Sequence, residues 1–319
     1  MSRPRYQWAS QGDVNAFFGL MLDNIADLLL AVSLLATVFE FPTEFALRYM
    51  VPGTALGVLV GDLLFFAMAL RLARQSGRND VTAMPLGLDT PSTFGMVFFV
   101  LGPAFLQARA SMPLEAAARH TWHIGICAIL ISGLFKLACA VGSGWIRRIV
   151  PRAGLLGSLT AIALVLISFL PLVEILHTPI VGLVALAIVL GTLVGRIPLP
   201  GRIPGTLAAL VIAGGMFHLM HWAGWLHVSG PEIDPAQGLL PTDWLTVFRL
   251  EWTRAFWDTL PYLPVILPFA LATVVGGIDC TESAAAAGDE YDTGQVIAVE
   301  AIATLVAGFC GGVVQTTPY

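Results

Sequence analysis

The sequence predicts an all-α polytopic membrane protein. Hydrophobic residues make up 57% of the 319-residue chain, whereas charged residues make up only 12%. A soluble domain carries roughly 25% charged residues, because its surface must face water. Apolar runs of about 20 residues, the length that crosses a bilayer as a helix, also recur along the whole chain. Together these observations indicate that most of the outer surface faces lipid.

Nine apolar runs have the length of a membrane-spanning helix, and a tenth begins near residue 313. The nine predicted segments are 14–38, 50–71, 91–108, 121–143, 153–173, 179–195, 203–221, 260–285 and 294–311. Proline and glycine occur inside several of them, which membrane helices tolerate where neighbouring protein satisfies the backbone. The stretch 222–258 differs, because it combines five of the eight tryptophans with charged side chains. It predicts an exposed loop and an interfacial amphipathic helix.

Arginine placement predicts a cytoplasmic N-terminus. If the segments alternate, most arginines fall on one side of the membrane, and cytoplasmic loops are the ones enriched in basic residues. This set consists of Arg3, Arg5, Arg71, Arg74, Arg78, Arg147, Arg148, Arg152, Arg196 and Arg202. The opposite side carries mainly acidic residues and the tryptophan-rich stretch. The expected location is the plasma membrane, which in a bacterium is the inner membrane.

Composition and motifs argue against several other classes. The net charge of −5 and the lack of a basic stripe disfavour nucleic-acid binding. The cysteines lie in apolar stretches without the spacing of a zinc site, so we interpret them as small buried hydrophobes; they are Cys127, Cys139, Cys280 and Cys310. No nucleophile elbow, metal cluster or phosphate-binding loop is visible, so we expect neither an enzyme nor a cofactor.

Two groups of polar residues lie inside the predicted segments, where an ionisable side chain is costly. Asp23, Asn24 and Asp27 lie in the first segment, and the two acids share a helix face because they are four residues apart. Asp279 and Glu282 lie three apart in the eighth segment. Either group could bind a solute or a proton, or could join helices through hydrogen bonds.

Two predicted segments are interrupted. Residues 82–89 read as extended chain, after which a helix begins inside the membrane and is capped by Asp89, Thr90 or Ser92. Residues 311–319 repeat this pattern, with glycines, a short extended piece, polar residues and a proline. Interrupted segments in corresponding positions predict a solute site between inverted repeats.

Two further ionisable residues are interpreted as structural. Glu300 is isolated in the ninth segment, and Lys136, the single lysine, lies halfway along the fourth. A lysine at that depth either reaches toward the interface or pairs with an acid, and we favour a structural partner. The histidines lie mostly near segment ends, so we expect them at the interface and expect no metal site.

These motifs resemble the nucleobase/ascorbate transporter family, the xanthine/uracil permeases, including their adenine/guanine/hypoxanthine branch. The similar pieces are the broken third segment, the acidic motif 278–283, and the stretch 303–312 that leads to 315–319. The resemblance implies fourteen segments in two inverted repeats of seven, with short strands in segments 3 and 10 that meet at mid-membrane. It implies a core domain from 1–143 and 259–319, and a gate domain from 144–258.

The resemblance also implies residue roles. Asp279 or Glu282, of which we prefer Asp279, would accept hydrogen bonds from the N–H groups of a base. The further substrate-binding candidates are Gln315, Thr316, Thr317 and Thr93, and the proton-coupling candidates are Asp27, Asp23 and Glu282. Pro318 departs from the family pattern by separating a threonine from the following tyrosine. The family's second acid would lie beyond Tyr319, so we expect a truncated chain that lacks about four helices of roughly 20 residues each.

The resulting hypothesis is a secondary active transporter that takes up a purine or pyrimidine base, or a similar small polar solute, with a proton by alternating access. Its partners would be the solute, the proton, membrane lipid and, as the resemblance implies, a second copy of the chain. One alternative is an anion transporter of the same fold, of the sulfate or bicarbonate kind, although two neighbouring acids would repel anions. Another is a membrane sensor or scaffold that does not transport.

Overall fold

The computed structural model describes residues 11–142, 164, 168–226 and 241–319. Within these residues, six helices are long and apolar enough to cross a membrane: Gly12–Phe39, Thr43–Ser76, Thr90–Arg109, Leu114–Val141, Gly205–Trp222 and Glu251–Ala286. Two shorter apolar helices are Pro179–Val194 and Thr293–Phe309. The prediction of a polytopic α-helical membrane protein is confirmed. The fifth predicted segment lies mostly outside the described residues, as do the arginines at 3, 5, 147, 148 and 152.

The elements are named in chain order. They are α1 (Gln11–Phe39), α2 (Thr43–Ser76), β1 (Leu86–Leu88), α3 (Thr90–Arg109), α4 (Leu114–Val141), α5 (Leu170–His177), α6 (Pro179–Val194), α7 (Gly205–Trp222), α8 (Leu263–Ala286), α9 (Thr293–Phe309) and β2 (Thr316–Pro318). Helices α2 and α3 each contain one π-helical turn, Ala46–Met50 and Val97–Leu101.

Two helices begin earlier than hydropathy predicts. Helix α2 begins at Thr43 instead of residue 50, and its first turns carry Glu44 and Arg48, whose side chains form an ion pair at 2.7 Å one turn apart. Helix α4 begins at Leu114 instead of residue 121, after Pro113 at its N-cap. Charged first turns are helical but not apolar, so a hydropathy pattern misses them.

The described residues form two compact units. The first comprises 26–142 and 241–319, and the second comprises 11–25, 164 and 168–226. In the second unit, α6 and α7 pack through small residues and bury Val181, Ala208, Ala209 and Ala213.

Residues 241–258 of the tryptophan-rich stretch belong to the first unit. Instead of one amphipathic helix they form two 3-10 turns, Asp243–Arg249 and Glu251–Ala255, that lead into an α-helical turn at Phe256–Thr259. Leu250, left-handed with φ of 58°, separates the two 3-10 turns. Trp252 packs against the hydrophobic core and its carbonyl accepts a hydrogen bond from Cys127 on α4. This part of the stretch therefore packs against α4.

Helix α2 presents a row of glycines to α9 and β1. A Cβ atom on Gly53 would lie 2.3 Å from Cys310 O, one on Gly57 2.4 Å from Ala307 Cβ, and one on Gly61 2.1 Å from Leu86 Cδ2. Small residues at every fourth position let membrane helices approach closely. This Gly-xxx-Gly-xxx-Gly pattern was not singled out in the sequence analysis, although it is visible there.

The two short strands expected in the broken segments are present and pair with each other. β1 and β2 are antiparallel, with Gly87 opposite Thr317. One further backbone hydrogen bond continues the ladder at each end, from Asp89 N to Gln315 O at 3.0 Å and from Tyr319 N to Pro85 O at 2.9 Å. The backbone groups of both interrupted segments thereby satisfy each other in the absence of water.

Polar contacts hold the chain that leads to β1 against the loop between α8 and α9. Arg78 forms ion pairs with Asp80 and Asp289, both at 2.9 Å. Asp289 accepts a hydrogen bond from Thr82 N at 3.0 Å, and the Tyr291 hydroxyl donates to Thr82 O at 2.5 Å. The hydrogen bond from Arg78 also lowers the pKa of the exposed Asp80 carboxyl. These contacts fix the segment before β1 to the loop that follows α8.

Candidate functional site

The helix that follows β1 begins with a side-chain cap. Asp89 is the N-cap of α3, and its carboxylate accepts hydrogen bonds from Ser92 N at 2.9 Å and from the Ser92 hydroxyl. Thr90 is the first helical residue, so the cap is Asp89 among the three capping candidates. The N-terminus of α3 carries the positive end of the helix dipole, and Asp89 compensates it.

The proton-coupling candidates of α1 separate in the structure. Asp27 is 4% exposed and accepts a hydrogen bond from the Thr93 hydroxyl at 2.6 Å, so it joins the start of α3. Asp23 is exposed and belongs to the second unit. Asp27 therefore lies at the start of α3. Asp23 and Asp27 share a helix face, but one is exposed and the other is buried, because burial changes within one turn of α1.

The polar residues of β2 are buried and mostly engaged. The Gln315 Oε1 atom accepts a hydrogen bond from the Ser132 hydroxyl at 2.8 Å, and the Thr316 and Thr304 hydroxyls lie 2.8 Å apart. Among the described residues no group accepts a hydrogen bond from Gln315 Nε2. Thr317 is 7% exposed. Gln315 therefore retains a buried donor, whereas the Thr316 hydroxyl is bound within the structure.

Lys136 and Glu300 form a fully buried ion pair. The Lys136 Nζ atom lies 2.8 Å from Glu300 Oε1, and both side chains are 0% exposed. Nζ also donates to Thr316 O at 2.8 Å and to the Thr304 hydroxyl at 3.3 Å. The structure therefore provides the acidic partner that was favoured for Lys136. Because Lys136 also donates a hydrogen bond to Thr316 O, the ion pair lies against β2.

Helix α8 runs beside β2, and its orientation distinguishes Asp279 from Glu282. The Cys280 thiol donates to Pro318 O at 3.2 Å, and a Cβ on Gly276 would lie 3.5 Å from Thr317 Oγ1. An α-helix turns by about 100° per residue, since it has roughly 3.6 residues per turn. Asp279 therefore lies at the edge of the face that contacts β2, near Gly276, whereas Glu282 lies almost opposite. Both side chains are half-buried.

One acid at the strand pair was missed in the sequence analysis. Asp62 on α2 accepts a hydrogen bond from Leu86 N at 2.8 Å and so anchors the first residue of β1. An aspartate inside the apolar segment 50–71, next to Gly61, was the available signal. Ser132, which holds Gln315, carries no comparable signal, because serine is common in membrane helices.

Comparison of the chain with protein-family models, curated proteins and solved structures returned no match. The fold and the site by themselves define a class. In its described parts the chain is a polytopic α-helical membrane protein in which two interrupted segments pair as strands inside the helical packing. Buried polar side chains of α4 and α9 contact the second interrupted segment: Ser132 bonds Gln315, and Lys136 and Thr304 bond Thr316.

Two adjacent glycines of α8 give a matched pair of substitutions. Gly277→Ala would place a Cβ 2.9 Å from Glu300 Oε2, which the ion pair holds in place, whereas Gly276→Ala meets Thr317 at an ordinary contact distance of 3.5 Å. We expect Gly277→Ala to destabilise the protein by about 1–3 kcal/mol through overpacking. Gly276→Ala should be neutral or more stable by up to about 1 kcal/mol.

The free energies of unfolding of both glycine variants in mixed detergent micelles test this expectation. Equal free energies of unfolding for the two variants would show that the Glu300 side chain moves aside without cost, and would contradict a rigid ion pair.

Proposed function

We propose that the protein is a secondary active transporter of the xanthine/uracil permease type, which takes up a nucleobase or a similar small polar solute together with a proton. The observation that carries this proposal is the antiparallel pairing of β1 and β2. Exposed backbone polar groups are too costly in the hydrocarbon core of a membrane. Two broken helices that meet inside the protein satisfy most of these groups and leave a polar site at that depth.

The side chains around the strand pair suit a planar solute with both N–H and C=O groups. Asp279, at the edge of the α8 face that contacts β2, would accept hydrogen bonds from N–H groups. Gln315, whose Nε2 atom has no acceptor among the described residues, would donate to a carbonyl. Among the three earlier proton-coupling candidates, Asp27 is the buried one, and it accepts a hydrogen bond from Thr93.

In this proposal the first unit forms most of the core domain of a seven-plus-seven inverted repeat, and the second unit contributes to the gate domain. Transport proceeds by alternating access in the plasma membrane, with a cytoplasmic N-terminus and a homodimer formed through the gate. An anion carrier of the same fold receives less support, because Glu300 already neutralises Lys136, the one lysine of the chain.

The test is uptake of radiolabelled uracil, xanthine, adenine and hypoxanthine by the full-length protein, in cells that lack their own carriers and with or without a proton uncoupler. We expect uncoupler-sensitive uptake of one base. Asp279→Asn should lower it about 10- to 100-fold, because a hydrogen bond to a charged group contributes roughly 1.5–3 kcal/mol.

Glu282→Gln, on the opposite side of α8, is the matched control and should retain uptake. Absence of uptake for every base, from protein shown to reach the membrane, would overturn the proposal. Uptake of sulfate or bicarbonate would then favour the anion carrier, and binding of a base without flux would favour a sensor.

A further inference from the structure

The Lys136 ammonium group has all of its hydrogen-bonding capacity in use. Its three protons correspond to three acceptors: Glu300 Oε1, Thr304 Oγ1 and Thr316 O. One acceptor is the acid, and another is the backbone of β2 itself. Lys136 therefore connects the charge of Glu300 directly to the position of the second interrupted segment.

The second carboxylate oxygen of Glu300 lies outside the ion pair with Lys136. Oε2 is buried, and among the described residues no group donates a hydrogen bond to it. The Thr273 hydroxyl interacts with the carboxylate but donates its proton to Ala270 O. Oε2 lies next to α8 at Gly277, which has no side chain to contact it; a Cβ there would lie 2.9 Å from Oε2. A buried carboxylate oxygen without a donor is an open acceptor for a proton.

Stability does not explain this pair. Removing two charges from water is costly, and well-packed apolar residues can often replace a buried ion pair without loss of stability. Inside a membrane the cost is higher still, so an ionisable residue there is first considered functional. The hydrogen bond from Lys136 to Thr316 O suggests a functional role for the pair. Through this bond, the position of β2 depends on the charge state of the pair.

We propose that Glu300 is a proton-binding site, and that proton uptake at Oε2 weakens its ion pair with Lys136 and loosens the hold of Lys136 on β2. The proton binds a lone pair of Oε2, no covalent bond breaks, and the net charge of the pair changes from zero to +1. This inference deepens the proposed function, on which its link to solute uptake rests, by naming the site where the coupling proton acts.

Other titratable groups face the pair from the neighbouring elements. The carboxylate of Asp89, at the start of α3, acts electrostatically on both Lys136 and Glu300. The thiols of Cys139 on α4 and Cys280 on α8 also lie within electrostatic range of Glu300. Asp89 is the acid placed to balance the positive charge that protonation of Glu300 creates, which links the site to the cap of α3.

The first arm of the test needs no solute. The full-length protein, reconstituted in liposomes, is studied by infrared difference spectroscopy between neutral and acidic pH. Among the protonated carboxyl bands that arise in the wild type, the band of Glu300 should be missing in the Lys136→Met/Glu300→Gln variant, which keeps the site electrically neutral. Asp279→Asn, the matched control on α8, should retain the band. A spectrum of the double variant identical to that of the wild type overturns the proposal.

The second arm measures transport. In the double variant we expect accumulation of the base against its gradient to fall to the level of uncoupler-treated wild type, while counterflow exchange of the base persists. Unchanged proton-driven accumulation overturns the proton site and leaves the proposed function intact. If the wild type transports no base but its infrared band depends on Glu300, the proposed function fails and the proton site stands.

Discussion

Replacing Lys136 by methionine is expected to lower the free energy of unfolding by about 3–5 kcal/mol, because it leaves the Glu300 carboxylate buried without its counter-charge. Both side chains are 0% exposed, so water cannot replace the lost partner. The variant also removes the hydrogen bond that Lys136 donates to Thr316 O. Thr316 is itself fully buried, so water does not replace that donor. No other ion pair among the described residues has both side chains fully buried.

The measurement is reversible unfolding in mixed detergent micelles. Lys136→Met/Glu300→Gln should recover most of the loss, since neither charge then remains. Arg109→Gln is the matched control: Arg109 pairs with Glu40 at 2.8 Å, but the two side chains are 43% and 77% exposed. Loss of an exposed pair costs at most about 1 kcal/mol. A Lys136 variant no less stable than this control would show that the buried pair contributes nothing.

Gly53→Ala is expected to destabilise the protein by about 3 kcal/mol, at the upper end of the usual cost of overpacking. The added Cβ would lie 2.3 Å from Cys310 O and 2.4 Å from Gly312 N. Both are backbone atoms, so no side-chain rotation can relieve the clash. The affected backbone leads into β2, so the substitution should also disturb the strand pair.

Gly214→Ala provides the control for this substitution. Gly214 lies inside α7 with nothing within 4 Å of the added Cβ. Alanine favours a helix over glycine by about 1 kcal/mol, so this variant should be as stable as the wild type or more stable. Unfolding in mixed micelles compares the two directly. If both variants retain wild-type stability, the close approach of α2 to the residues before β2 is contradicted.

Much of the helix pattern could be predicted because it depends on local composition. The apolar runs at 14–38 and 203–221 correspond closely to α1 and α7, since length and hydropathy are sufficient to define a membrane helix. The interruption around Pro85 was equally local, because proline restricts its own backbone and that of its predecessor. Charged first turns, as in α2, were missed because their stability comes from pairing and not from hydropathy.

The candidate site was predictable in its parts but not in its connections. Asp27, Asp89 and Gln315 were named from residue type and position. Their partners are far away in the chain: Asp27 binds Thr93, 66 positions on, and Gln315 binds Ser132, 183 positions back. Residue spacing carries no information about such contacts, so the interpretation of Glu300 as merely structural could not be improved from the sequence.

The sequence by itself determined that this is a polytopic membrane protein with two interrupted segments, because apolar length and proline placement act locally on the chain. The tertiary structure alone decided that β1 and β2 pair with Gly87 opposite Thr317, and that Lys136 pairs with Glu300, 164 positions away. The physical reason is that buried polar groups must be satisfied by partners. Which partners are in reach depends on how closely the helices pack, here through the glycines of α2.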